Sequence, residues 1–128
     1  APEVTESDTA EVAGGLDVLQ GPHAGRPALL IKLLRSMLGH APEVVRGLKA
    51  AHAAQDFAML TLNAHSLKSS AGNLGAQELA ELCGRLEAAA RAKTLAPCGP
   101  LLATIEVQVA ALVKACDAGV ATLESRVA

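Results

Sequence analysis

The stretch that decides the fold runs from Asp56 to Ala76, DFAMLTLNAHSLKSSAGNLGA. Its apolar residues Phe57, Leu60, Ala64, Leu67, Ala71 and Leu74 follow one another at alternating three- and four-residue steps. A helix places such a series on one face, and a seam this regular points to a core. Asp56 stands where an N-cap carboxylate would accept an orphan backbone N–H. Gly75 stands where the helix should stop, as a C-cap glycine does. The segment therefore reads as one amphipathic helix with a signal at each end.

Similar stripes lie on both sides of it. Upstream, a helix is expected from near Arg26-Pro27, carried by Leu30, Leu33, Leu34, Met37, Ala41, Val44, Val45, Leu48 and Ala51. Pro42 falls inside it and should kink or split it, because proline lacks the N–H and clashes with the preceding turn. Downstream, Leu79, Leu82, Cys83, Leu86 and Ala90 predict a third helix from about Ala76 to Lys93. Pro97, Gly99 and Pro100 punctuate the next connection, and a fourth helix follows from about Leu101 to Leu123. Near the start, Leu16 to Gln20 leaves room for a short helical turn between Gly15 and Gly21.

Composition agrees with helices. Hydrophobic residues make up 51% of the 128, yet Phe57 is the single aromatic. Strands favour β-branched and aromatic side chains, whereas Ala, Leu, Glu, Lys and Arg favour helix. The expected fold is all-α, an antiparallel four-helix bundle with a short extra N-terminal helix. Residues 1–13 are acidic and without apolar period, and read as a flexible leader; residues 14–128 read as a single domain.

The formal charge of -2, with no basic run and no aromatic platform, argues against nucleic acid. The richest apolar stretch, Ala28 to Leu38, is broken by Lys32 and Arg35, so no membrane span is expected. The first residue is Ala rather than Met, which suggests a processed chain or a piece of a longer protein. Cys83, Cys98 and Cys116 are odd in number and form no CxxC pair. They read as reduced thiols, with Cys83 and Cys116 packed as small apolar groups, and no metal site is expected.

Beside the core seam of the central helix runs a second row, His65, Lys68, Ser69 and Gly72, at positions i, i+3, i+4 and i+7. The offset puts His65 at the edge of the core, open to solvent. Neutral imidazole offers a nucleophilic ring nitrogen, and covalent catalysis needs that nitrogen accessible. Lys68 would supply a cation one turn away, while Ser69 and Gly72 would leave the surface open. Glycine inside a helix costs about 1 kcal/mol relative to alanine, so Gly72 should have a compensating use. Each residue also has a plain reading: a surface histidine, a solvated lysine, a neutral serine, and a glycine at a helix–helix contact.

His65-Ser66-Leu67-Lys68-Ser69-Ser70-Ala71-Gly72-Asn73-Leu74-Gly75-Ala76 resembles the signature of histidine phosphotransfer (HPt) domains. The similarity continues through Leu79, Leu82, Cys83 and Leu86-Glu87, and upstream through Gly25 to Leu30 and Ala41-Pro42-Glu43, so that it spans roughly residues 16 to 93. It is most like the C-terminal HPt domain of a bacterial hybrid sensor histidine kinase. The resemblance implies that His65 takes a phosphoryl group from a receiver aspartate and passes it to another receiver. Lys68 would then stabilise the phosphate, and Ser69 and Gly72 would belong to the receiver-docking face. Ser69 departs from the family, which often has glycine there.

The partners implied are response-regulator receiver domains, with no nucleic acid and no membrane contact by the domain itself. No cofactor is expected on this chain, and Mg²⁺ would sit on the receiver. A monomer in the cytoplasm, or in the cytoplasmic part of a membrane-anchored sensor kinase, is the matching setting. Two other readings stay open: the phosphoacceptor domain of a chemotaxis-type kinase, and a helical adaptor whose histidine is incidental.

Overall fold

The structure, a computed structural model, describes residues 27–127. The expected leader and the short helix at Leu16 to Gln20 lie outside the described residues. Four helices make up the described chain: α1 (Pro27–Ala53), α2 (Phe57–Asn73), α3 (Gln77–Arg91) and α4 (Cys98–Val127). Among the described residues there is no strand. The principal packing runs in a ring, α1 on α2, α2 on α3, α3 on α4 and α4 on α1, with α2 diagonal to α4.

The central seam is buried as its spacing requires. Leu60, Ala64, Leu67 and Ala71 are fully enclosed, and Leu74 is 2% exposed. They meet Leu30, Leu34 and Leu48 of α1, Cys83 and Leu86 of α3, and Ile105, Leu112 and Cys116 of α4 in one core. Pro42 neither splits α1 nor ends it; the helix runs through from Pro27 to Ala53. The lost hydrogen bond and the ring clash oppose this by roughly 3 kcal/mol. Against that stand Met37 and Ala41 on one side and Val44 and Leu48 on the other, all buried against the same core.

Three helices end in the same way. After α2, the Gly75 N–H donates to the Gly72 carbonyl at 3.1 Å and the Ala76 N–H to the Ala71 carbonyl at 2.9 Å. That pair of bonds is the Schellman motif, and it needs a left-handed residue, here Gly75 at φ 77°. The same bonds follow α1 at Gln55 and α3 at Lys93, whose φ values are 53° and 55°. The third helix thus stops at Arg91, two residues short of the expected end. At the other end of α2, Asp56 Oδ1 accepts from the Met59 N–H at 3.1 Å, as an N-cap should.

Helix α4 starts earlier than the sequence suggests, at Cys98 instead of about Leu101. Pro100 then falls in the first turn, where a missing N–H leaves no intrahelical bond unmade. Cys98 is buried in the core like Cys83 and Cys116, and its thiol donates to the Thr94 carbonyl at 3.3 Å. Burial pushes the Cys83 thiol up to about 12 even against the lowering charge of Lys68, and Cys116 up to about 11. The thiols behave as apolar filling.

Candidate functional site

Helix α2 turns one face to the core and the other to solvent. Because the core seam fixes its rotation, Ser69 and Gly72 are exposed, and the His65 and Lys68 side chains are 58% and 41% exposed. A Cβ added at Gly72 would have nothing within 4 Å. The helix–helix contact that would have explained this glycine is therefore not made, and the surface over it is open.

Helix α3 brings an acid to this row. Glu87 lies in the buried stripe of α3 with Leu79, Cys83, Leu86 and Ala90, and is 4% exposed. Its carboxylate faces α2 and gathers three partners. His65 Nδ1 lies 3.3 Å from both Oε1 and Oε2, a long contact shared by the two oxygens. Lys68 Nζ is 3.2 Å from Oε1, and the Arg91 guanidinium is 2.7 Å from Oε2. Burial alone would push this carboxyl up. The hydrogen bonds from Lys68 and His65, with the charges of Arg91 and Lys68, outweigh burial and hold it below the ordinary glutamate range.

Glu87 is therefore ionised at neutral pH and can only accept hydrogen bonds. The ring nitrogen that faces it has to donate, which assigns the proton of a neutral imidazole to Nδ1 and leaves the lone pair on Nε2. The arrangement is an exposed imidazole oriented by a buried carboxylate, with cations beside it, which is the geometry that a histidine nucleophile requires.

Sequence reasoning found His65, Lys68, Ser69 and Gly72, and the structure brings all four onto one exposed face. It missed Glu87 and Arg91. A usable signal existed: a glutamate in the apolar stripe of the third helix, with an arginine one turn later. The remaining described histidines are placed differently. His40 Nε2 is 3.3 Å from the Ser66 hydroxyl in the cleft between α1 and α2. The His52 ring lies beside the start of α4, where a side chain at Gly99 would meet it. His23 lies outside the described residues.

Comparison with curated protein sequences found no match. Among solved structures, the chain is similar to the crystal structure of histidine-containing phosphotransfer protein B from Pseudomonas aeruginosa. The two are 26% identical, with 95% of this chain and 97% of that one covered and a TM-score of 0.71. The family model described as "Hpt domain" matches residues 32–119, a span that holds α2, α3 and the whole His65–Glu87 cluster. The chain belongs to the Hpt domain family, the histidine phosphotransfer domains of phosphorelays.

Proposed function

We propose that His65 is the phosphoacceptor of this domain, taking a phosphoryl group from a receiver aspartate and delivering it to another receiver. The observation that carries this reading is an exposed imidazole whose Nδ1 faces an ionised, buried carboxylate. In the forward step the Nε2 lone pair forms a bond to phosphorus. The acyl-phosphate O–P bond breaks, and the aspartate leaves as a carboxylate. The Nδ1 proton stays shared with Glu87, which stabilises the positive charge that develops on the ring. Phosphoryl transfer is catalysed by placement and electrostatics, and the receiver would supply Mg²⁺ and the acidic groups that hold it.

Lys68 is positioned to meet the phosphoryl oxygens by turning from Glu87, which Arg91 still neutralises. Ser69 and Gly72 form the docking face C-terminal to His65, small enough for a close approach. The helices are inferred to be antiparallel. His40 faces Ser66 and Gly47 faces Asn63, and Arg35 pairs with Glu124 as Lys49 does with Glu106. Numbers that rise along one helix fall along its neighbour. A monomer acting in the cytoplasm suits four helices that enclose one core.

The test is transfer of labelled phosphate from a phosphorylated receiver, with the linkage identified by acid lability and base stability. The His65→Gln variant should accept none. Undiminished labelling of that variant would overturn the assignment and direct attention to His23, His40 and His52. Labelling by ATP and a kinase domain, with no transfer from any receiver, would favour a chemotaxis-type phosphoacceptor.

A further inference from the structure

Gly84 stands half-buried at the midpoint of α3, where glycine is the poorest helix former after proline. A close crossing of two helices would be the ordinary reason for it. The geometry excludes that reason: a Cβ at Gly84 would have one atom from another helix within 4 Å, Lys68 Cδ at 3.5 Å, and no backbone of α2. At Gly47 and Gly119 the same Cβ would press on Asn63 at 2.9 Å and on Leu34 at 3.1 Å, so packing between helices accounts for those two. What lies over Gly84 is the aliphatic stem of the lysine beside His65.

From that seat Lys68 Nζ reaches Glu87 Oε1 at 3.2 Å, and Glu87 stands one turn after Gly84 on the same helix. Arg91, a further turn on, holds Oε2. Positions i, i+3 and i+7 share a face, so one strip of α3 carries the lysine stem, the carboxylate and the second cation. The Lys68 side chain is 41% exposed, and burial alone does not hold it. Its course is set at two points, Cδ over Gly84 and Nζ on Glu87.

We infer that Gly84 is a positioning residue for phosphotransfer, a saddle on α3 that seats the Lys68 stem and lets its ammonium swing between Glu87 and the phosphoryl group on His65. The inference rests on the reading of His65 as phosphoacceptor and of Lys68 as the cation for its phosphate. A lysine stem has many rotamers, and holding it at Cδ fixes the torsions before that atom while leaving those beyond it free. The ammonium then moves on a short arm. His65 Nδ1 and Lys68 Nζ meet the same oxygen, Oε1, so the arm ends within one carboxylate of the ring. A methyl group at residue 84 would make ordinary contact with the stem. A larger side chain would fill the saddle and turn the stem toward solvent.

The experiment compares Gly84→Ala, Gly84→Val, Gly84→Leu and Lys68→Ala, with Gly84→Val also made in the Lys68→Ala background. Phosphotransfer from a purified receiver is measured beside a carbon-13 NMR titration of the Glu87 carboxyl. Alanine, valine and leucine all exceed glycine in helix propensity, so the fold is retained, which urea unfolding checks. Gly84→Ala should keep the wild-type kcat and Glu87 titration. Gly84→Val and Gly84→Leu should lower kcat about tenfold with KM little changed, as Lys68→Ala does, the size expected for a lost contact to a charged group. Of the three groups facing Glu87, His65 and Arg91 remain in these variants, and loss of the Lys68 bond should move its titration to higher pH. In the Lys68→Ala background, Gly84→Val should cost nothing more. A wild-type kcat or an unmoved Glu87 titration in both bulky variants would overturn the inference. A further loss in the Lys68→Ala background would overturn it too, because Gly84 would then act on something other than Lys68. So would a rise in KM alone, which would make residue 84 part of the docking surface. A Lys68→Ala chain as fast as the wild type would end the phosphate role of Lys68 and the inference with it. A wild type that no receiver labels would sink the phosphoacceptor reading, and the Glu87 titration would still show whether Gly84 seats Lys68.

Discussion

Replacing Glu87 with glutamine keeps the shape of the side chain and removes the charge that three groups share. The carboxylate is almost fully enclosed, while the side chains around it are 58% (His65), 41% (Lys68) and 66% (Arg91) exposed. A hydrogen bond to a charged group contributes about 1.5–3 kcal/mol and one between neutral groups about 0.5–1.5. Three such differences would reach about 3 kcal/mol if the partners were buried. They are not, and exposed cations regain water when the carboxylate is lost, so the effect should fall to about 1–2 kcal/mol at neutral pH.

The sign of the pH dependence follows from the carboxyl itself. In the folded chain Glu87 is held below the ordinary glutamate value of 4.5. A depressed carboxyl contributes stability that is fully present above the unfolded value and is lost as pH falls through the folded one. Urea unfolding of the wild type and Glu87→Gln should therefore differ most above pH 5. The gap should narrow below pH 4.5 as the wild-type carboxylate takes up a proton that the amide of the variant cannot. A constant gap down to pH 3 would refute the charge cluster as its source. A Glu87→Gln protein more stable than wild type at pH 7 would mean that enclosing the carboxylate costs more than its three partners return.

Further outcomes are expected at other positions. Leu67→Ala should destabilise the bundle by about 2–5 kcal/mol through the cavity left at a fully buried site, while His65→Gln should change stability by only about 0.5 kcal/mol in urea titrations. Lys68→Ala should slow phosphotransfer without abolishing it, and Gly72→Arg should weaken receiver docking while adding helix propensity. Lys93→Gly should raise the unfolding midpoint by an amount worth about 0.5–1 kcal/mol, since a left-handed lysine is replaced by a residue free of Cβ strain; a lower midpoint would contradict the cap. Cys83 and Cys116 should resist alkylation at pH 8 in the folded chain and react in urea, because the thiolate is the reactive form and burial suppresses it.

The fold was legible wherever one helix could speak for itself. The buried seam of α2, its Asp56 cap and its Gly75 stop are all local signals, and each lies where it was expected. The misreadings occur where a local signal met a tertiary one. Pro42 reads as a break because a proline is costly within a helix, but four buried neighbours outweigh it. Pro100 reads as loop, although a first-turn position makes proline harmless. The left-handed caps at Gln55 and Lys93 carry no sequence mark, because the residue type that normally announces them is absent.

The site divides along the same line. His65, Lys68, Ser69 and Gly72 share one helix face, so their spacing on α2 was sufficient to group them. Glu87 is 22 residues from His65 on another helix, and no periodicity within either helix links the two. What links them is the register of α3 against α2, fixed by Leu67 and Leu86 packed in one core and by the short connector through Gly75. Glu87 can be found from sequence only by asking why an acid occupies a stripe that otherwise holds leucine, alanine and cysteine. A buried carboxylate is tolerated where cations meet it. One of these, Arg91, lies a turn away on its own helix. The others can come only from across the helix pair, where Lys68 and His65 are the facing candidates.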